Sequence, residues 1–376
     1  MNRSLIAVGC ALVLGCASTQ KPAPVSQPKA PEARSAPTES GPEHPRYLSP
    51  SEIAKRLEVS EVSYRVEGKD SPPGGWGDQL WPQRVQAVEF PRVVVENGER
   101  VVREWPENPA ARKLLDEAEP LFQAKKYEEA GKLYARATEV CPDCYMAWNF
   151  RGDAAYFAGD AATGLEHYRK AITLNPDDHR SWFFLGNALA KLGRFDEALD
   201  AWGMCLTLSP RYSVIRQFFQ TNSHLGLVIR EDAIVPRGYA ERVGEEISIQ
   251  FDPNHDMGWF AFANCKALWL GEPSHRKEMT GTTEEHFTSV EELECLGTAL
   301  VVHEDQKARG KTDASDATLD RLYVIAKDGM LLEAVLFEVA TRVHPQIVLT
   351  LDDTVRQRLK AYVLKHVLVP AGGIDL

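Results

Sequence analysis

Trp182-Phe183-Phe184-Leu185-Gly186-Asn187-Ala188-Leu189-Ala190-Lys191-Leu192-Gly193-Arg194-Phe195-Asp196-Glu197-Ala198-Leu199 is the stretch whose reading decides the fold. It lies between Pro176 and Pro210, and with Pro142 these prolines are spaced by 34 residues. The residues around them recur at the same spacing. Trp148, Gly152, Gly159, Tyr168 and Ala171 precede Pro176; Leu114, Ala118, Tyr127, Ala130, Tyr134 and Ala137 precede Pro142. Self-similarity at this period means a helical solenoid built of stacked two-helix units.

Each recurring position has a physical reason. Gly152 and Gly186 let the first helix of a unit approach the second closely. Gly159 and Gly193 fall in the tight turn between them, where a positive φ is needed. Ala130, Gly164 and Ala198 keep the second helix thin at its crossing point, and Trp148 and Trp182 fill the space between neighbouring units. The prolines close each unit, because proline cannot continue a helix. Read together, these positions resemble the tetratricopeptide-repeat family, with three repeats at 109–142, 143–176 and 177–210. The resemblance implies a right-handed superhelix whose first helices line a concave groove, and a protein or peptide partner lying in that groove. Carried over, the groove positions are Phe122, Met146, Asn149, Asp153, Tyr156, Phe157, Arg180, Phe183, Asn187 and Lys191. Aromatic rings with a few amide and charged groups are what a peptide site uses. The carboxylate clamp of chaperone-binding members needs Lys and Asn at positions that here hold Leu115 and Glu119, so that specialised reading fails.

The N-terminus reads as an address. Asn2-Arg3-Ser4 carries one positive charge, Leu5–Leu14 is apolar, and Gly15-Cys16-Ala17-Ser18 follows. The apolar run is too short to span a bilayer and has the size of a signal-peptide core. Val13-Leu14-Gly15-Cys16 resembles the lipobox of bacterial lipoproteins, which implies acylation of Cys16, with palmitate among the chains attached, after removal of the signal peptide at 1–16. Two chains hold where one does not, at ~0.8 kcal/mol per buried methylene. Ala rather than Asp at position 17 points, by analogy with enteric bacteria, to the outer membrane. Residues 17–48 are rich in Pro, Ala, Ser and charge, with little to bury, and read as a disordered tether.

The flanks of the array are mixed. Within 49–108, Ser51–Leu57 reads as a short helix capped by Ser49 or Ser51. Val59–Val66 alternates like a strand, Ser71–Pro82 reads as a loop, and Asn97-Gly98 between Val-rich runs signals a hairpin. After Pro210 the signature stops. Arg211–Leu225 is expected to cap the array, Glu245–Asp252 to be a strand, and Met257–Leu270, Glu291–Arg309, Asp316–Ala326, Met330–Val343 and Asp352–Leu368 to be helices. The expected fold is therefore mostly α: a helical-hairpin solenoid, a small β-containing N-terminal region and a mainly helical body over 211–376.

Composition narrows the function. A formal net charge of -11 over 376 residues argues against a nucleic-acid partner, which would require clustered Lys and Arg. Cys141-Pro142-Asp143-Cys144 has the Cys-x-x-Cys spacing, but it spans the loop between two repeats and its proline is the repeat-closing one. A local disulfide and a pair of free thiols both fit; no second Cys or His pair lies at metal-ligand spacing. Cys205, Cys265 and Cys295 read as isolated core residues. His255-Asp256, Glu284-Glu285-His286 and His303-Glu304-Asp305 have acid–base residue types without metalloprotease spacing, and phosphate-loop, nucleophile-elbow and dinucleotide motifs are missing. No catalytic residue, metal or cofactor is assigned. The expectation is a non-enzymatic, lipid-anchored envelope scaffold binding proteins through its groove. The alternative is an enzyme with an unfamiliar site in the body, which would show as a pocket converging His303 and Glu304 with His255 or His286. In a third arrangement the body fills the groove and the whole is one structural unit.

Overall fold

The chain is described by a computed structural model over residues 46–310 and 316–372. Cys16, the signal peptide and the tether up to residue 45 lie outside the described residues. The first helix, α1 (Pro50–Glu58), starts at a reciprocal cap: Ser49 Oγ accepts from the Glu52 N–H, and the Glu52 carboxylate accepts from the Ser49 N–H at 2.8 Å. Leu48, expected at the end of the tether, instead packs against the core, and its N–H donates to Glu294 Oε1 at 2.8 Å. Strand β1 (Ser63–Gly68) follows. The expected loop contains one short helix, α2 (Gly77–Leu80), flanked by Trp76 and Trp81, both buried. Strands β2 (Pro91–Glu96) and β3 (Glu99–Glu104) form the expected antiparallel hairpin. Asn97 and Gly98 turn it with φ of 53° and 87°, the left-handed pair that matches the twist of the flanking strands.

Three helical hairpins follow: α3 (Pro109–Gln123) with α4 (Tyr127–Val140), α5 (Tyr145–Phe157) with α6 (Ala161–Leu174), and α7 (His179–Lys191) with α8 (Phe195–Leu208). The close approaches are real. A Cβ at Gly152 would lie 2.6 Å from the Tyr168 ring, and one at Gly186 would lie 2.5 Å from the Trp202 ring. The turns use left-handed glycines at Gly159 and Gly193, with φ of 99° and 76°. At the equivalent point of the first hairpin stands Lys125, at φ 59°. Trp148 and Trp182 donate from Nε1 to the carbonyls of Pro142 and Pro176, at 2.9 Å and 2.8 Å, so each ring also fastens the preceding turn.

Helix α9 (Ser213–Thr221) caps the array as a shorter element than expected and ends in a 3-10 turn at Ser223–Leu225. The body then adds β4 (Leu227–Ile229), β5 (Gly238–Val243), β6 (Glu246–Phe251), α10 (Gly258–Gly271), α11 (Pro273–Thr280), α12 (Ser289–Ala308) and α13 (Ala317–Lys327). Next comes α14 (Leu331–Ala334), which runs through a π-helical turn into α15 (Thr341–Val343). After α16 (Ile347–Thr350), α17 (Asp353–Tyr362) ends in a second π-helical turn before β7 (Leu368–Pro370), which pairs antiparallel with β4.

The two flanking regions meet in space. β1 runs parallel to β6, with Tyr64 opposite Ile247 and Val66 opposite Ile249, and β6 pairs antiparallel with β5. Helix α10 is largely buried and carries apolar residues on every side, with Lys266 its one charged residue, paired to Glu292 at 2.9 Å. It packs Ala263 and Ala267 onto Ile247 and Ile249 of the sheet. Cys265 on α10 and Cys295 on α12 are joined by a disulfide, which corrects the reading of both as isolated core residues. The two helices pack side by side, a contact that no local spacing reveals.

The third hairpin and the C-terminal helices share one core, running from Leu185 and Trp202 through Phe219 and Ile234 to Phe337 and Val363. At its edge Lys360 pairs with Asp200 at 2.6 Å, and Arg356 pairs with Asp177 at 2.6 Å. Among the described residues no helix is long and apolar enough to cross a membrane.

Candidate protein-binding surface on the repeats

The first helices of the hairpins, α3, α5 and α7, pack against one another and so form one inner face. Five of the ten expected groove residues are buried: Tyr156 at one end, and Asn149, Asp153, Phe183 and Asn187 sunk into the face. Asn149 Nδ2 donates to Ser181 Oγ at 2.7 Å. Asp153 Oδ1 accepts from the Tyr168 hydroxyl at 2.7 Å, and Asn187 Oδ1 accepts from Trp202 Nε1 at 3.0 Å. Phe183 is 1% exposed, with the Tyr212 and Phe218 rings at 6.0 Å and 5.5 Å. These four corrections share a cause. The small residues that let the helices close up bring the polar groups beside them within reach of the next helix, and α9 lies over Phe183.

Arg180 is also claimed by its own chain. It donates to Asp178 Oδ1 at 3.0 Å and to the Glu89 carbonyl at 3.0 Å, and its guanidinium sits 4.5 Å over the Phe90 ring. Burial alone would raise the Asp178 carboxyl, but the charges of Arg180 and His179 and the bonds from Ser181 and Arg180 hold it below its ordinary range. Next to it Asn175 donates to the Pro91 carbonyl at 2.9 Å, and Trp105 meets the Tyr145 ring edge-on at 4.8 Å. The segment from Glu89 to Trp105 therefore covers one end of the inner face.

The other end is open. Phe122, Tyr127 and Phe157 are half-buried and mutually in contact: Phe122 lies 5.3 Å from Tyr127 and 5.5 Å from Phe157, and Tyr127 stacks on Phe157 at 5.7 Å. Tyr156, itself buried, meets Phe157 at 5.3 Å. Lys191 is exposed and holds its ammonium 4.5 Å over the Tyr156 ring while donating to the Tyr156 carbonyl at 3.3 Å. Met146, half-buried on α5, stands apart from this cluster in the first turn of its helix. Leu192 and Phe195, 41% and 57% exposed, lie at the corresponding turn of the third hairpin. Tyr127, Leu192 and Phe195 were missed in the sequence. Tyr127 and Phe195 open the second helix of their hairpins, and in the sequence both read only as repeat positions, not as part of the groove. Aromatic faces beside a cation, ringed by polar side chains, suit the apolar side chains of a peptide.

The tetratricopeptide-repeat family profile matches residues 115–173 and, overlapping them, 151–203. These are tetratricopeptide repeats. No curated protein matches the chain. Solved structures similar to the tetratricopeptide array include the first such domain of Spaghetti bound to an HSP90 peptide. It is 20% identical, with 32% of this chain and 95% of that one covered and a TM-score of 0.29. The Sgt2 domain from Aspergillus fumigatus is 20% identical, with coverages of 31% and 80% and a TM-score of 0.30. The Yersinia enterocolitica type III secretion chaperone SycD, in complex with a peptide of the translocator YopD, is 16% identical, with coverages of 32% and 91% and a TM-score of 0.29.

In the tetratricopeptide array the Cys141–Cys144 pair is disulfide-bonded across the loop between the first two repeats. The matching loop between the second and third repeats reads Asn175-Pro176-Asp177-Asp178, and there Asp178 caps α7 by accepting from the Ser181 N–H at 3.0 Å. The disulfide stands where that side-chain cap would be, since Cys144 makes no cap bond to α5. Cys141, Asp143 and Cys144 lie close enough to share a metal ion, but a disulfide occupies both sulfurs.

The candidate acid–base residues of the body do not converge. His303 is 1% exposed and is clamped between Asp256 at 2.8 Å and Asp320 at 3.1 Å, so both ring nitrogens are engaged. His255 lies nearby, 3.7 Å from Asp252 and from Asp316. His286 lines a separate cleft beside Lys266 and Glu292. That cleft does not reach His303, and neither does the larger one beside Pro210. The Asp256–His303–Asp320 chain ties α12 to α13 and to the turn before α10.

Proposed function

We propose that the protein is a non-enzymatic, lipid-anchored scaffold of the bacterial cell envelope that binds other proteins through the open end of its tetratricopeptide array. One observation carries the binding half: the half-exposed Phe122–Tyr127–Phe157 cluster with Lys191 beside it, left uncovered while the chain's own segments cover the rest of the inner face. The partner is a protein segment presenting apolar side chains, extended or helical. Truncating such an aromatic anchor costs ~2 kcal/mol or more at a binding hot spot. The net charge of -11 sets nucleic acid aside.

The address rests on the sequence. Leu5–Leu14 followed by Gly15-Cys16 supports lipidation of Cys16, anchoring to a membrane and placement at the outer membrane. The two disulfides support an oxidising compartment, because cytosolic thiols are kept reduced. Metabolic labelling with an alkyne palmitate analogue tests the anchor. The full chain should take up label and fractionate with outer membranes, and Cys16→Ser should do neither. Label retained by Cys16→Ser, or a full chain without label, rejects the anchor. Partner capture by the full chain, compared with Phe157→Glu plus Phe195→Glu, tests the binding half separately.

A further inference from the structure

A cleft of about 540 Å³ opens beside Pro210, where the end of the third repeat, the α2 region and the α15 region meet. Small-molecule sites run from ~300 to ~1,000 Å³. Its charged wall is a pair of arginines, Arg211 and Arg342. Both guanidiniums donate to the same oxygen, Asp232 Oδ2, each at 2.9 Å, and Arg211 also donates to the Glu338 carbonyl at 3.0 Å. These bonds fix the two planes before any ligand arrives, which lowers the entropy lost on binding.

Two positive charges face one anchoring carboxylate, so the wall keeps an excess of positive charge. The other carboxylate here, Asp78, lies 3.3 Å from Arg342, but its side chain is 95% exposed. A contact that exposed is screened and easily displaced. The remaining walls combine the stiff apolar residues Trp81, Pro82, Pro210 and Pro345 with the neutral polar Gln83, Ser209 and Thr341.

We propose that this cleft binds a small organic anion, its carboxylate against Arg211 and Arg342 and its apolar body against Trp81 and the prolines. An inorganic anion would satisfy the arginines but leave the apolar walls wet. A cation would meet the arginines head-on. The site is separate from the aromatic end of the array and does not rest on partner binding there.

The test is calorimetric titration of the full chain with phenylacetate, with sulfate and phenethylamine as the two controls. Phenylacetate should bind in the millimolar range or tighter, and the controls should be much weaker. Arg342→Gln should weaken phenylacetate at least about tenfold, the worth of one charge-assisted hydrogen bond. Arg342 also holds Asp232, so circular dichroism must show that this variant folds. Asp78→Asn carries no such risk, and by removing the competing carboxylate it should tighten phenylacetate severalfold. Phe195→Glu should leave the affinity unchanged. Absence of phenylacetate binding, sulfate binding at least as tightly, or an Asp78→Asn variant that binds no more tightly would each overturn the assignment.

Discussion

The Tyr168 hydroxyl donates to Asp153 Oδ1 at 2.7 Å across the second hairpin, and one repeat later Trp202 Nε1 makes the same bridge to Asn187 at 3.0 Å. The two bridges differ in charge, and that difference is measurable. Burial pushes the Asp153 carboxyl up to about 7; the Tyr168 bond opposes this and the nearby Glu119 adds to it. An unfolded Asp titrates near ~3.9. The folded state therefore holds the extra proton between these values. Stability is fully present below the unfolded value and is lost as pH rises through about 7. Buried Glu338, raised by desolvation and by Asp232, works in the same direction. Asp252 is lowered to about 2: burial opposes the shift, but bonds from Ser71 and Asn254 outweigh it. Its stability is lost only in acid, outside this window. In thermal melts, the margin of Asp153→Asn over wild type should grow by a few degrees between pH 5 and pH 8. Equal gaps at both values would mean that Asp153 is not protonated in the folded state.

Gly186→Ala tests the close helix crossing. Its Cβ would sit 2.5 Å from the Trp202 indole, a buried ring that also packs edge-on with Phe219 at 5.1 Å. Overpacking of this kind costs ~1–3 kcal/mol. Denaturant titration should show the loss, whereas Gly297→Ala, with open space at its Cβ, should show little.

Lys125 occupies the left-handed turn position that glycine holds in the other two repeats. Lys125→Gly should stabilise by about 0.5–1 kcal/mol, the relief of left-handed strain exceeding the entropy that glycine adds to the unfolded chain. A variant less stable than wild type would show that the Lys125 side chain contributes more than its backbone loses.

Reduction should act mainly through the body. Cys265–Cys295 bridges two helices 30 residues apart in sequence, and removing such a link costs ~2–4 kcal/mol. Cys265→Ala plus Cys295→Ala should melt like the reduced wild type. The Cys141–Cys144 bond spans only three residues. Cys141→Asn plus Cys144→Asp rebuilds the loop of the next repeat, so it should keep the melting point close to wild type.

The hairpins were legible because their positions repeat locally. Gly186, Gly193 and Pro210 each state a backbone requirement within a few residues of where it is met. The Asn97-Gly98 turn and the Ser49 cap were legible for the same reason. Long-range pairing was not. β1 finds β6 across the whole array, and Cys265 finds Cys295 through a helix contact, with no periodicity to mark either. The groove was half legible. Phe122, Tyr156, Phe157 and Lys191 do cluster, but Phe183 and Arg180 are taken by α9 and by the Glu89–Phe90 segment, elements outside the repeat pattern.

The claim that the open aromatic end is the working surface is tested most directly by photo-crosslinking in cells. A photoreactive phenylalanine analogue would replace Phe195, 57% exposed, or Arg136, exposed on α4, in the full chain. A discrete adduct from position 195, missing from position 136 and abolished by Phe157→Glu in a variant that still folds, is the predicted result. Adducts of equal strength from both positions, or an adduct from 195 that survives Phe157→Glu, would contradict it.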